Sequence, residues 1–518
     1  MTAGHPAGPF GWHPEPDLVG FLDPARSREA LERLGADTWA AALDFLYGEA
    51  TRRPMPTGTY PELRAGFFGP TGLPAPAPRE PTPSADLLAD FAGRLAPNQF
   101  GSQHPGQFAY FSPPPLPVSI AGEVLAQWTN QGVDVWHAGP SAGFVEEEVV
   151  AWLRDLVGFG DDGFGTLTSG GVMANLMGLA VARDVHLARL VGSDRPPRGA
   201  DLERARAYAS DQAHFSIARA LSILGLPASA LRVLPSDDRF RLGADTLAAA
   251  VAKDRADGFV PWCVAAVSGS TNTGSVDPVG DLAGVAEREG LWLHVDAAYG
   301  GAVRLSPRDA WRVPDLQLAN SVTIDPHKWF FQAYDVGALI VRRRQDLLRT
   351  FHGAPEYYRS TRPEDEPLNW YQYSMEGTRR FRALKLWLSW RHLGSDGFAR
   401  LIEANLDLAA YLAERCGDGG DFEITPAAPE LSVVCFRHLP GGAEDAARLD
   451  PGTLDRHQDR LQRALEVSGE GWVSTTRLRG RTWLRAGIVN YLSTREDVDR
   501  VLDALRRHAS RLASDLGP

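Results

Sequence analysis

From about Ser141 the chain alternates short apolar runs with amphipathic stretches. Residues 143–157 carry apolar side chains at helical spacing, residues 164–168 have strand character, and residues 172–190 resume helical spacing directly after a Ser-Gly-Gly turn. Residues 208–210, 262–268, 291–295, 322–324 and 337–341 read as further short strands. Such alternation predicts an α/β unit built on a largely parallel sheet. The amphipathic run 379–392 leads out of it. After it come a helical pattern at 398–415, a strand pattern at 431–436, a helix at 454–467, a hairpin-like pair at 472–478 and 482–486, and a last helix at 495–512. These predict a smaller C-terminal α+β domain. Before the α/β unit, two helical stretches at 27–47 and 85–95 flank a Pro/Gly-rich passage, 54–83. That segment lacks the makings of its own core, so it is expected either to wrap a partner subunit or to form a loosely ordered tail. The expected division is 1–110, 111–392 and 393–518, without an internal repeat.

The length of 518 residues agrees with two or three structural units. A net charge of −12 argues against a nucleic-acid or anionic-membrane surface and turns attention to small molecules. Cys263, Cys416 and Cys435 form no C-x-x-C pair, so neither a disulfide framework nor a metal cluster is expected, and a reducing cytoplasm fits. Met1 to Pro16 shows no basic start followed by an apolar run, and no stretch of about 18 apolar residues occurs, so neither export nor a membrane span is expected.

Of the 53 basic residues only Lys253, Lys328 and Lys385 are lysine. Arginine cannot deprotonate in a protein and so cannot serve as an amine nucleophile, whereas lysine can. Each lysine in this chain therefore stands where arginine was not used.

Ligands of open α/β sheets gather at the carboxyl ends of the strands, and five such ends carry suggestive residues. Thr168-Ser169-Gly170-Gly171 allows close backbone approach and opens a helix whose free N–H groups suit an anion. Ser210-Asp211-Gln212-Ala213-His214 offers a flat ring at the start of a helix. The segment from Ser268 to Ser275 is rich in hydroxyls around Thr271. The apolar strand 291–295 delivers Asp296, a carboxylate that is costly to bury without a cationic partner, followed by the small residues Ala297, Ala298, Gly300 and Gly301. Asp325-Pro326-His327-Lys328 sets Lys328 beside Trp329, Phe330 and Phe331, where desolvation is expected to lower its pKa and free the amine. Each feature taken singly also reads as an ordinary turn, cap or snorkelling lysine.

Taken together, in strand order and with 32 residues between Asp296 and Lys328, they suit pyridoxal 5′-phosphate. That cofactor needs an anion cradle, a carboxylate at the pyridinium nitrogen, a lysine for a Schiff base and a flat neighbour for its ring. The set resembles the group II PLP-dependent decarboxylases related to aromatic L-amino acid and glutamate decarboxylases. The resemblance runs from about His104 to Trp390 and is carried by His104-Pro105, by Phe108-Ala109-Tyr110-Phe111, and by residues 210–214, 294–299 and 325–329.

It implies an aspartate-aminotransferase-like type I fold, with a mostly parallel seven-stranded sheet, and a homodimer sharing its active site. It also implies that Lys328 holds the cofactor, Asp296 pairs with its ring nitrogen, His214 stacks on the ring and Ala298 packs the opposite face. Ser169, Gly170, Gly171, Ser321 and Asp325 fall where the family binds phosphate or orients the cofactor. Thr271 lies near the ring substituents, and His327 precedes the lysine. Tyr110 and Phe111 border the substrate, with Trp128, Trp136 and Trp329 as further pocket or core aromatics. A mobile-loop tyrosine, Tyr357 or its neighbour Tyr358, is the counterpart of the family's proton donor. The chain departs from the family at Ser112-Pro113-Pro114-Pro115 on the substrate side and in the spacing around residues 377–382. The expected activity is decarboxylation of an L-amino acid, with an aromatic one among the options, to the amine. An oxygen-dependent aldehyde synthase, another PLP lyase or aminotransferase, and a non-catalytic PLP-fold binding module are the alternatives.

Overall fold

The structure is a computed structural model that describes residues 24–48, 53–353 and 367–512. These fall into two compact units, one running up to His104 with Glu466–Gly471, the other comprising Pro105–Leu465 and the residues from Trp472 onward.

In the first unit stand the helices α1 (Pro24–Tyr47), α2 (Tyr60–Phe68) and α3 (Ser84–Asp90). Helix α2 lies inside the Pro/Gly-rich passage, where apolar periodicity gave no sign of it. Local chemistry explains its presence. Thr59 and Glu62 form a reciprocal capping box, with Thr59 N–H donating to the Glu62 carboxylate at 2.7 Å, and a proline stands in the first turn. Neither α2 nor α3 buries a residue, and Trp39, Tyr47, Tyr60 and Leu87 stay exposed.

The second unit begins with α4 (Pro117–Thr129) and α5 (Pro140–Val157), which lead into a seven-stranded sheet. Its strands are β1 (Phe164–Thr168), β2 (Ala205–Ser210), β3 (Leu231–Leu234), β4 (Val260–Val267), β5 (Trp292–Asp296), β6 (Ser321–Ile324) and β7 (Gly337–Val341), in the order β1-β7-β6-β5-β4-β2-β3. Only β7 runs antiparallel to its neighbours. Residues 325–336 between β6 and β7 contain no crossover helix, and a chain that turns straight back can only pair antiparallel. Strand β3 escapes periodicity because it is a four-residue edge strand, buried only at Leu234.

Helix α6 (Gly171–Val181) continues through further helical turns to Leu190 and is buried from Ala174 onward. Helix α7 (Ser216–Ile223) follows β2. Helix α8 (Ala383–Asp418) breaks at Gly394, whose φ of 65° and ψ of 170° are not helical. The expected boundary at 392/393 lies within α8. Beyond it, β8 (Phe422–Thr425), β9 (Val433–His438), β10 (Ser474–Leu478) and β11 (Arg481–Gly487) form an antiparallel sheet in the order β10-β11-β9-β8. Phe436, Leu461, Val498 and Leu502 belong to its separate core.

Among the described residues, no helix is long and apolar enough to cross a membrane, and no three metal-ligating side chains cluster. The three cysteines are free and buried.

One buried ion pair fastens α5 to the sheet edge. Arg379 bonds to the Glu146 carboxylate, to Thr166 Oγ1 at 3.0 Å and to the carbonyls of Leu167 and Val133 at 2.8 and 3.0 Å. Arg379→Ala would leave the Glu146 charge buried and unpaired, so a loss of about 3–5 kcal/mol is expected in urea unfolding followed by circular dichroism. Unchanged stability would show that this pair does not hold the edge strand.

Candidate active site

The carboxyl ends of β1, β2, β4, β5 and β6 surround a cavity of about 430 Å³. Ser169, Gly170, Gly171, His214, Thr271, Asp296, Ala298, Asp325, His327 and Lys328 all line it.

Its floor is set by two glycines. Gly170, at φ 153°, caps α6 without a side chain, which leaves the first N–H groups of the helix turned to the cavity. A Cβ on Gly171 would sit 2.8 Å from Asp325 Oδ2 and 3.3 Å from Ala298 Cβ, so only glycine allows this approach. The result is an anion cradle of backbone donors.

Asp296 ends the central strand β5 and is 6% exposed. Its Oδ1 accepts from Ala298 N–H at 3.1 Å and its Oδ2 from Asn175 Nδ2 at 2.7 Å. His214 Nδ1 lies 2.8 Å from Ser216 Oγ. Burial pushes the His214 imidazole below its usual pKa, with Asp296 pulling the other way.

Lys328 corrects a sequence expectation. Burial alone would lower its pKa, but the Asp325 and Asp296 carboxylates more than offset it and hold the ammonium above the usual lysine range. Asp325 Oδ2 is 3.0 Å from Lys328 Nζ and 3.7 Å from His327 Nε2, while Asp325 Oδ1 meets no hydrogen-bond partner. Trp329, Phe330 and Phe331 turn away into the core, with Trp329 stacked on Tyr299 at 4.7 Å, and so do not desolvate the amine directly.

Other expected site residues stand elsewhere. Ser321 does not line the cavity. It is buried beneath, bonded to Trp292 Nε1 at 2.9 Å and His294 Nδ1 at 2.8 Å, because it begins β6 at the end remote from the ligand side. Phe111 is one layer back, stacked on Tyr299 at 4.0 Å, and Tyr110 packs edge-on against Trp472. Trp128 is exposed and Trp136 packs on His137. Tyr357 and Tyr358 lie outside the described residues. Lys253 is an exposed partner of Asp257, and Lys385 is buried against Glu123.

Asn175, Phe215, Tyr299 and Tyr334 are among the lining residues that were not anticipated. Asn175 had a signal, being the one polar side chain in the otherwise apolar Gly171–Val181. Tyr334 had none. It reaches the cavity through the long return from β6 to β7 and hydrogen-bonds Ser112 Oγ at 2.8 Å.

Residues 70–439 match the family model described as the pyridoxal-dependent decarboxylase conserved domain. The chain belongs to the pyridoxal-dependent decarboxylases. An aromatic-L-amino-acid decarboxylase of Bacillus atrophaeus is 33% identical to it, over 82% of this chain and 86% of the other. An L-2,4-diaminobutyrate decarboxylase of Rhizobium meliloti is 32% identical, over 84% of each. The crystal structure of Oryza sativa TDC with PLP and tryptamine superposes with a TM-score of 0.85 at 26% identity, covering 96% of this chain and all of that one. The fold is therefore the type I PLP fold that the sequence resemblance implied, the cofactor is pyridoxal 5′-phosphate, and the reaction class is carboxy-lyase. The cavity suits that cofactor: a cradle that a Cβ would fill, a lysine amine, and a carboxylate already supplied with two donors.

Gly171→Ala is expected to weaken cofactor binding by about tenfold or more, since the added methyl enters the cradle. A spectrophotometric titration of cofactor-stripped protein checks this, and unaltered affinity would remove the cradle from the account. Lys328→Ala should abolish turnover and the visible absorption of the bound cofactor. A variant that keeps both would exclude Lys328 as the anchor.

Proposed function

We propose that this protein removes CO₂ from an aromatic L-amino acid to give the amine, as a cytoplasmic homodimer with a shared active site. The observation that carries the reading is the meeting of the Lys328 amine, the Asp296 carboxylate and the His214 ring beside the uncapped start of α6, in one cavity. Val172, Met173, Phe215 and Tyr334 give that cavity an apolar and aromatic wall, which supports an aromatic rather than a cationic side chain.

Pyridoxal phosphate, when bound, supplies the electron sink that lets a carboxylate leave as CO₂. Lys328 Nζ is the amine that would hold it. Gly170, Gly171 and Ser169 would receive the phosphate, with His327 and Asp325 nearby. Asp296 would keep a proton on the ring nitrogen, because an ionised carboxylate at that atom favours the protonated form. His214 and Ala298 would hold the ring, with Thr271 near its substituents. Tyr357 delivers the proton to the substrate carbon.

Exposed apolar side chains support the homodimer. Leu125 and Trp128 on α4 and Phe144 on α5 are each more than half exposed, apolar surface that a partner subunit would cover. Buried free thiols support a reducing compartment.

The test is to incubate the purified protein with L-phenylalanine, L-tyrosine, L-tryptophan and L-2,4-diaminobutyrate while following CO₂, amine and H₂O₂ together. CO₂ and amine in equal amounts from an aromatic substrate support the proposal. Preference for diaminobutyrate would overturn the substrate, and H₂O₂ in proportion to CO₂ would replace the amine product with an aldehyde.

Tyr357→Phe should lose amine and gain aldehyde, ammonia and H₂O₂ from substrate, O₂ and water, while Tyr358→Phe changes little. Amine formation at the parent rate in Tyr357→Phe would place the proton donor elsewhere. Asp296→Asn should keep the fold by circular dichroism and lose most activity. Parental rates there would remove Asp296 from its role.

A further inference from the structure

Behind the cavity wall, a continuous run of hydrogen bonds links five buried side chains to the two groups assigned to the cofactor ring. Trp292 Nε1 donates to Ser321 Oγ at 2.9 Å, and Ser321 Oγ lies 2.8 Å from His294 Nδ1. His294 Nε2 is 3.0 Å from Asn175 Oδ1. The Asn175 amide nitrogen donates to Asp296 Oδ2 at 2.7 Å and to Ser216 Oγ at 2.8 Å. Ser216 Oγ in turn lies 2.8 Å from His214 Nδ1, and Ser216 N–H points at the same nitrogen at 3.3 Å.

The direction of these bonds follows from Asp296. An ionised carboxylate can only accept, so the nitrogen of the Asn175 amide faces Asp296 and its oxygen faces His294. His294 therefore carries hydrogen on Nε2 and donates to Asn175 Oδ1. With His294 neutral, its Nδ1 is bare and accepts the Ser321 hydroxyl proton, while Ser321 Oγ accepts the Trp292 indole N–H. Burial pushes His294 down to about 4, so it is neutral and has the single proton this pattern needs. The second Asn175 N–H occupies Ser216 Oγ. The backbone N–H of Ser216 can only donate, so His214 Nδ1 is bare and the Ser216 hydroxyl proton also turns to it.

We propose that Asn175 is a positioning residue that ties Asp296 and His214 into one polar unit and fixes His214 in the tautomer that bears its proton on Nε2. That is the ring nitrogen left for a ligand in the cavity. The arrangement is tightly held. Asn175 is 1% exposed, and a Cβ on Gly178, three residues further along α6, would lie 2.8 Å from His294 Cε1. The helix can thus approach β5 closely enough for the amide to bridge. Asn175→Asp keeps the shape but loses both donors and sets a second carboxylate against Asp296. Asn175→Ala leaves the Ser216 hydroxyl free to turn and His214 Nδ1 held only by the longer bond from Ser216 N–H.

The proposal rests on the reading of Asp296 and His214 as cofactor-holding residues, and its test separates the two. In full-length protein labelled with ¹⁵N-histidine, the His214 signal is assigned by its loss in His214→Gln and observed with and without cofactor. Parent protein should show protonated Nε2 and bare Nδ1 in both states. Asn175→Ala and Ser216→Ala should each show mixed tautomers, and Asn175→Asp should lower kcat by about tenfold or more, the order expected for one lost hydrogen bond to a charged group, with a smaller change in KM. Parent protein with its proton on Nδ1, or a single Nε2–H tautomer retained in a folded Asn175→Ala, would overturn the proposal. The expected tautomer in a protein that releases no CO₂ would support the network and sink only the functional reading.

Discussion

A carboxylate held at the centre of the sheet is the constraint from which the rest of the site follows. Asp296 ends β5 at 6% exposure, and a charge in that position is tolerated only with donors at both oxygens. One donor is local, the N–H of Ala298. The other comes from α6, so that helix must lie close to β5, and the small residues Gly171 and Gly178 on it are where the chain makes room. The same approach turns the uncapped start of α6 into the cavity, so one close contact between helix and strand serves both the carboxylate and the anion cradle. In the function proposed above, the cationic partner that such a carboxylate calls for is the protonated ring of the cofactor.

A second charge balance governs the lysine. Lys328 Nζ lies 3.0 Å from Asp325 Oδ2, and the Asp325 and Asp296 carboxylates outweigh burial and hold its pKa above the usual lysine range. Asp325 also faces the glycine cradle, with Oδ1 meeting no partner. The lysine and the cradle are thus coupled electrostatically through one carboxylate, and His327 stands 3.7 Å from it as the adjoining group.

Much of this was legible in the chain because strand ends carry chemistry as short contiguous motifs. Asp296 announces itself as a charge directly after an apolar run, Lys328 as a charge directly before three aromatic residues, and Gly170-Gly171 as a turn before a helix. Lys328 is further marked by the scarcity of lysine. What was not legible depends on contacts across the sheet. Ser321 was implied as a site residue by the family resemblance, yet its hydroxyl is spent on Trp292 and His294 behind the cavity. Tyr299 and Phe111 form a stack whose order only the folded chain decides. Lys328 was expected to lose affinity for its proton through aromatic neighbours, but those rings point into the core and carboxylates replace them. Strand β3 and helix α2 were missed for opposite reasons, one too short and exposed for periodicity, the other fixed by a capping box within a Pro/Gly-rich run.

The account turns on which amine holds the cofactor, and the composition makes that directly measurable, since only three lysines occur. Protein loaded with pyridoxal phosphate is reduced with borohydride, which fixes the cofactor to the amine that carries it, then digested and mapped by mass spectrometry. The account expects the label on the peptide containing Lys328 alone, in proportion to the cofactor bound. Label on Lys253 or Lys385, or its absence from all three, would contradict it.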